Sequence, residues 1–204
     1  MTDLYDLDFP SLRTLMEAWG EPSYRARQLW QWLYVQLADD VDRMTNLPKA
    51  LRRRLAEETV IGAPEVVDTL LSSDGRTRKD LLRLRDGETV EVVLMRYERR
   101  RTVCISTQVG CAIGCVFCAT GQAGFRRNLT AGEIVAQVLH FARVLRAEGE
   151  RVTNVVLMGM GEPLLNYDAS LAAIRRLTDP QGFRLGQRHI TPVSYTHLTL
   201  PTKA

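Results

Sequence analysis

RTVCISTQVGCAIGCVFC, residues 101–118, reads as a strand to Thr107 that runs directly into a glycine-containing loop carrying Cys111, Cys115 and Cys118. Beyond the loop the chain has an α/β period: an apolar helical pattern over 129–148 with Thr130 as its cap, an apolar strand over 152–158, a second helix over 167–177 and a short strand over 188–191. Strands alternating with helices predict a parallel barrel, whose ligands sit at the C-terminal ends of its strands. Upstream, residues 65–107 are β-like. Runs at 66–70, 81–84 and 90–95 are separated by Asp74-Gly75 and Asp86-Gly87, the signature of a meander of hairpins. Further back, Leu12, Leu15, Met16 and Trp19, then Leu29, Trp30, Leu33, Tyr34 and Leu37, recur at helical spacing, with breaks at Gly20-Glu21-Pro22 and before Pro48. The expected organisation is α/β: a helical domain over 1–62, a short β-hairpin segment over 63–100, a partial (β/α) barrel over 101–191 and a tail over 192–204.

At 204 residues, 45% hydrophobic and 25% charged, the chain can bury one full core or two small ones. Its net charge of +3 permits a phosphate-rich partner without demanding one. No apolar run approaches the roughly 20 residues that cross a bilayer, and the N-terminus is acidic where a secretory signal would be basic, so the expectation is a cytoplasmic protein with no membrane partner. The helix YRARQLW, residues 24–30, has two readings. Arg25 and Arg27 can meet RNA phosphates while an aromatic stacks on a base, or they can be a solvated face over a Trp/Leu core stripe.

All four cysteines fall between positions 104 and 118, a clustering that suits metal or redox chemistry rather than a disulfide framework. A cuboidal 4Fe-4S cluster usually takes four thiolates. Three at C-x3-C-x2-C spacing leave one iron open, and the amino and carboxylate groups of S-adenosylmethionine are suitable chelators for it. Electron transfer into the sulfonium would then release a 5'-deoxyadenosyl radical. Gly110 and Gly114 let the loop curl around the metal. Two rivals use Cys104 as a fourth ligand: a zinc site, which normally pairs two short knuckles, and an electron-transfer ferredoxin, whose spacings match poorly.

A second motif, VVLMGMGEP at 155–163, places a glycine-rich turn and a carboxylate just after an apolar strand. Alone it is a weak signal. One βα unit after the cysteine loop, it offers Glu162 and nearby backbone for the ammonium of the cofactor's methionine moiety.

The cysteine loop followed by Gly-Glu-Pro resembles the radical S-adenosylmethionine superfamily. RTVCISTQVGC (101–111), FCATGQAGFRRNL (117–129) and MGMGEPLLNY (158–167) narrow the resemblance to the RlmN family of dual-specificity adenine-C2 RNA methyltransferases, and GEPSYRARQLW (20–30) and MTNLPK (44–49) resemble that family's helical accessory domain. The likeness runs over about residues 1–191. It implies methylation of C2 of an adenosine in 23S rRNA and in tRNA. That carbon is not nucleophilic, which is why a radical is needed. It also implies a 4Fe-4S cluster on Cys111, Cys115 and Cys118, S-adenosylmethionine held by Phe117, Gly161 and Glu162, Cys104 resolving a protein–RNA adduct, and Glu91 accepting a proton. Family attributes carried with it are a disulfide bond, an electron donor such as flavodoxin, and a monomeric state. Away from the resemblance, Cys104 reads as a small buried hydrophobe and Glu91 as a solvated strand residue. The nearest alternatives are the sister family that methylates C8 of the same adenosine, and a non-catalytic iron-sulfur or RNA-binding module.

After Thr191 the family pattern stops. PVSYTHLTLPTKA reads as a foreign ending, Val193 stands where a cofactor-binding serine is expected with Ser194 one place out of register, and the family's methyl-carrying C-terminal cysteine has no counterpart. The expectation is an incomplete chain without full activity, with exposed strand edges and poor solubility.

Overall fold

The computed structural model describes residues 1–194; the expectation of a foreign ending falls mostly on residues outside those described. The chain opens with β1 (Thr2–Asp3) and three helices, α1 (Phe9–Ala18), α2 (Tyr24–Tyr34) and α3 (Lys49–Glu58), followed by β2 (Thr59–Val60), which pairs in parallel with β1. Asp8 caps α1 by accepting from the Ser11 N–H at 2.8 Å, and Gly20 ends the turn beyond it at φ +74°, a conformation that penalises a side chain. Leu12 and Met16 of α1, Leu29, Trp30, Leu33 and Tyr34 of α2, and Leu51 and Leu55 of α3 are all buried, so the predicted helical stripes are core faces. Pro48 sits at the cap position immediately before α3.

The meander comes next as β3 (Glu65–Leu71), β4 (Thr77–Arg83) and β5 (Thr89–Arg96), turning at the two predicted Asp-Gly pairs. β6 (Arg101–Cys104) adds antiparallel to β5, with Cys104 opposite Val93. The expected strand over 101–107 is interrupted after Cys104. Thr107 and Gln108 give their N–H groups to the Met160 carbonyl, at 2.8 and 3.2 Å, so the chain leaves the sheet there. It re-forms as β7 (Gln108–Gly110), which pairs with β8 (Phe125–Asn128) across the cysteine loop and the short helix α4 (Ala119–Gln122). The long helix α5 (Ala131–Ala147) then crosses back to β9 (Asn154–Leu157), parallel to β6, and α6 (Tyr167–Thr178) leads to β10 (Ile190–Pro192), parallel to β9. The last strand starts two residues later than expected, because residues Gln187–His189 form a 3-10 turn.

One sheet therefore runs β10-β9-β6-β5-β4-β3, its first three strands parallel as in a barrel wall and its last three an antiparallel extension. β3 is exposed along its length, with Leu70 and Leu71 open to solvent on the edge. Thr130 and Glu133 complete a reciprocal capping box at the start of α5. That helix is buried on most sides because it lies between the sheet and the helical unit. Gly132 donates to Asp6 Oδ1 at 2.9 Å, Arg143 Nε donates to the Leu37 carbonyl at 2.9 Å, and the buried apolar residues of both parts form one cluster. Beneath the sheet, Asp80 accepts from Thr69 and Arg78, each at 2.8 Å, and meets His140 of α5 at 2.6 Å. Burial holds the His140 imidazole below its ordinary pKa against the upward pull of that carboxylate.

Candidate functional site

The cysteine loop and the glycine-rich turn leave the same edge of the sheet, beyond the C-terminal ends of β6 and β9. The turn is fixed first by its glycines. A Cβ on Gly159 would fall 2.7 Å from Ser106 Oγ, and one on Gly161, at φ +97°, would fall 2.5 Å from Gln108 Cβ. The backbone thus packs directly on the segment entering the cysteine loop, an approach that only glycine permits. Hydrogen bonds then lock it. Met160 N–H donates to Ser106 Oγ at 2.9 Å, the Ser106 hydroxyl donates to the Glu91 carbonyl at 2.7 Å, and Glu162 N–H donates to Gln108 Oε1 at 3.0 Å. The Glu162 carboxylate is buried, and accepts from the Leu164 N–H at 3.0 Å.

Gln108 belongs to both motifs. Besides Glu162 it meets Ala112 N–H, at 3.4 Å, and it donates to Asn128 of β8 at 2.8 Å, so one side chain joins the turn, the loop and the ribbon that closes the loop. Ser106 is held from behind by Gln137 of α5, which exchanges two bonds with its backbone, at 2.8 and 3.0 Å. Asn166 donates to the Thr107 and Leu129 carbonyls at 2.8 Å. Sequence reasoning missed Ser106, Gln108, Gln137 and Asn166. Ser106 and Gln108 stand inside the quoted motif without chemistry of their own, and only tertiary contacts reveal that they join its parts.

The loop itself is less constrained. A Cβ on Gly110 would fall 1.9 Å from the Gly124 carbonyl oxygen, where the two ends of the loop come together, and Gly114 turns the loop at φ +65°. Between Gly114 and Gly124, Val116 and Phe117 are 85% and 77% exposed, which leaves Phe117 accessible to a bound molecule. Cys111, Cys115 and Cys118 are partly exposed. The Gly121 N–H beside Cys118 draws its thiol below the ordinary range, with Thr120 adding to the effect. Among the described residues no three His, Cys, Asp or Glu side chains are gathered closely enough to hold a metal ion. The loop brings the three thiols onto one short segment without converging them. Their chemistry fits an iron–sulfur cluster: three soft donors, backbone N–H groups aimed at one sulfur, and glycines where the loop turns.

Cys104 ends β6 opposite Val93 and Val156, and burial pushes its thiol up, partly offset by a hydrogen bond with the Met158 backbone. It lies beside the turn. The disulfide implied by resemblance is not formed, since all four cysteines are free thiols: Cys104 is fixed within the sheet, while the others lie beyond β7. Glu91 contacts the site through its backbone, its N–H lying 3.4 Å from Met160 Sδ, while its carboxylate pairs with Lys79 at 2.7 Å. On α2, Arg25 turns inward to Gln28 at 2.7 Å and toward Glu21, whereas Tyr24 and Arg27 are exposed. Of the two arginines read as phosphate contacts, Arg25 is therefore engaged within the protein.

Comparison with known proteins agrees with this arrangement. Residues 2–61 match the ribosomal RNA large subunit methyltransferase N-terminal domain, and residues 105–198 match the radical SAM superfamily. A probable dual-specificity RNA methyltransferase RlmN of Chloroflexus aurantiacus is 54% identical over 193 residues, which cover 92% of this chain and 51% of that protein. Dual-specificity RNA methyltransferase RlmN 1 of Myxococcus xanthus is 53% identical, over 93% of this chain and 53% of its own length. The crystal structure of a radical SAM methyltransferase from Sphaerobacter thermophilus superposes with a TM-score of 0.91 at 49% identity, covering 94% of this chain and 56% of that one. The chain spans about half the length of the curated relatives it matches.

Proposed function

The chain belongs to the RlmN family of radical S-adenosylmethionine proteins over the half of the family's length that it spans, and from that premise we propose that it is the cluster- and cofactor-holding part of a methyltransferase acting on C2 of adenosine in 23S rRNA and tRNA. The observation that carries this reading is the joining of the two motifs. Gln108 and Ser106 tie the three-cysteine loop to the Gly-Glu-Pro turn at one end of adjacent parallel strands. That is where ligands bind in parallel α/β folds.

In this reading Cys111, Cys115 and Cys118 hold a 4Fe-4S cluster, and Phe117, Gly161 and Glu162 line the place of S-adenosylmethionine. The pair, when bound and reduced, would supply a 5'-deoxyadenosyl radical, a hydrogen-abstracting species that opens radical chemistry at a ring carbon no nucleophile–sulfonium reaction would reach. The chain's own residues position and shield. The bare backbone at Gly161 permits close approach, the buried Glu162 carboxylate offers a charge partner for an ammonium group, and exposed Phe117 offers an apolar face for a purine. In the same reading Cys104, which bonds to the Met158 backbone beside the turn, resolves an adduct, and Glu91, paired here with Lys79, accepts a proton. The match of residues 2–61 supports C2 rather than C8 as the target. No helix among the described residues is long and apolar enough to cross a membrane, which accords with a cytoplasmic enzyme, here read as a monomer fed by a flavodoxin-type donor.

The test is anaerobic reconstitution with iron and sulfide, followed by electron paramagnetic resonance of the reduced protein with and without S-adenosylmethionine. A reduced 4Fe-4S signal that shifts on adding the cofactor is expected. Stoichiometric zinc and no cluster, both in this chain and in one extended by a relative's C-terminal half, would sink the reading.

A further inference from the structure

A large cleft among the described residues lies at the opposite end of the sheet from the cysteine loop. Its volume is about 850 Å³, and its walls are the segments that enter β6, β9 and β10 together with the C-terminal ends of α2 and α5. Five arginines line it: Arg99, Arg100, Arg146, Arg151 and Arg184. All five are exposed. The carboxylate in the wall, Glu150, is already engaged by Arg96 and Arg101, at 2.9 and 2.5 Å.

These five lack acidic partners, as do several arginines scattered elsewhere among the described residues; what marks them is that they are gathered in one concave place. Many arginines elsewhere are matched to carboxylates, as in Arg43–Asp39, Arg54–Glu58, Arg126–Glu88 and Arg127–Glu133. Among the described residues, none of the five in the cleft has an ion pair. Arg146 donates to the Gln36 and Val35 carbonyls, Arg184 donates to the Pro180 carbonyl, and Arg100 stacks on Tyr97, while the side chains of Arg99 and Arg151 have no partner among the described residues. A chain whose whole surplus is +3 thus concentrates more than that surplus in one concave place. Low-dielectric walls focus such a field, and bundled guanidiniums repel one another unless an anion lies between them.

We propose that this cleft binds phosphate groups of the RNA substrate, as a second anchoring site remote from the modified base. The proposal rests on the reading of the chain as part of an RNA-modifying enzyme. Planar, always-charged guanidiniums are the side chains best suited to bidentate phosphate contact, and phosphate contacts position an RNA without reading its sequence. The site is about 13 Å from the catalytic edge along the four residues of β9, with the flanking loops adding to that span. A folded RNA reaches both ends, so the cleft would fix its orientation while the cysteine loop meets the target adenosine.

The test uses the 204-residue chain and a 23S rRNA transcript fragment carrying the target adenosine, with affinity measured across a salt series. Arg99→Glu/Arg151→Glu removes the two cations with no structural partner, and unfolding curves confirm that it still folds. It is expected to weaken binding roughly tenfold or more and to flatten the logarithmic salt slope by about 1.4, two single-strand phosphate contacts' worth. Arg76→Glu/Arg83→Glu makes the same change in net charge on the exposed β3–β4 hairpin, outside both the cleft and the helical unit, and is expected to lose far less. Equal losses in both pairs would reduce the effect to net charge and overturn the site. Unchanged RNA affinity in the Arg99/Arg151 pair would overturn it while leaving the RNA-modifying reading intact, since that reading stands or falls on the cluster and cofactor measurements. An inorganic pyrophosphate titration separates the sources of phosphate: tight pyrophosphate binding lost in the same variant, with RNA binding unaltered, would make the cleft a small-anion site and overturn the assignment to RNA.

Discussion

The glycine-rich turn and the cysteine loop lie at one end of the same sheet and are built on opposite principles. The turn is packed backbone to backbone, its glycines touching Ser106 and Gln108 and its amides satisfied by side chains from neighbouring segments. The loop is pinched at its two ends by Gly110 and Gly124, and between them presents exposed Val116 and Phe117 and thiols that do not converge. The turn is made rigid by the protein. The loop is left with its thiols apart, the arrangement expected of a metal site in which ligand gathering and metal binding are coupled.

That contrast is broken most directly at Cys115. Cys115→Ala should abolish the reconstituted cluster signal outright, while leaving the denaturant midpoint of the metal-free protein unchanged; a shifted midpoint would mean that the loop is part of the scaffold. Gly161→Ala should do the reverse, lowering unfolding free energy by about 2–4 kcal/mol in guanidinium titrations because the added methyl meets Gln108 at a φ that disfavours any side chain. Gln108→Leu sits between the two. It strands the buried Glu162 N–H, at a cost of about 1–3 kcal/mol, and should weaken S-adenosylmethionine binding by calorimetry while cysteine-bound iron is retained. Thr130→Ala, which removes half of the capping box on α5 behind the turn, should cost about 1 kcal/mol and leave both cluster and cofactor binding unaltered.

Legibility in the sequence tracks the range of the interactions. The helical stripes of α1 and α2, the Asp-Gly turns of the meander and the cap at Thr130 are local signals within a few residues of one another, and each stands where the sequence places it. The strand expected over 101–107 is too long, because its break is made by Met160, more than fifty residues away. The β7–β8 ribbon is not legible, since FRRN carries no strand period of its own and is held by Gly110 and by the pairs of Arg126 with Glu88 and Arg127 with Asp86. Arg25 shows the same limit, being a basic residue in an aromatic helix whose partners Gln28 and Asn46 turn it inward.

By itself the sequence determined the donor chemistry. Three thiols at fixed spacing, a Gly-Glu-Pro turn after an apolar strand and the alternation of strands with helices are properties of residue type and order. Tertiary structure alone decided which of these meet. It set Gln108 between loop and turn, placed Cys104 under Met158, and drew arginines from separate stretches of chain to the far end of the sheet. The physical reason is that donor identity and local periodicity are written in neighbouring residues, whereas convergence depends on strand register and helix crossing, which only the packed core fixes.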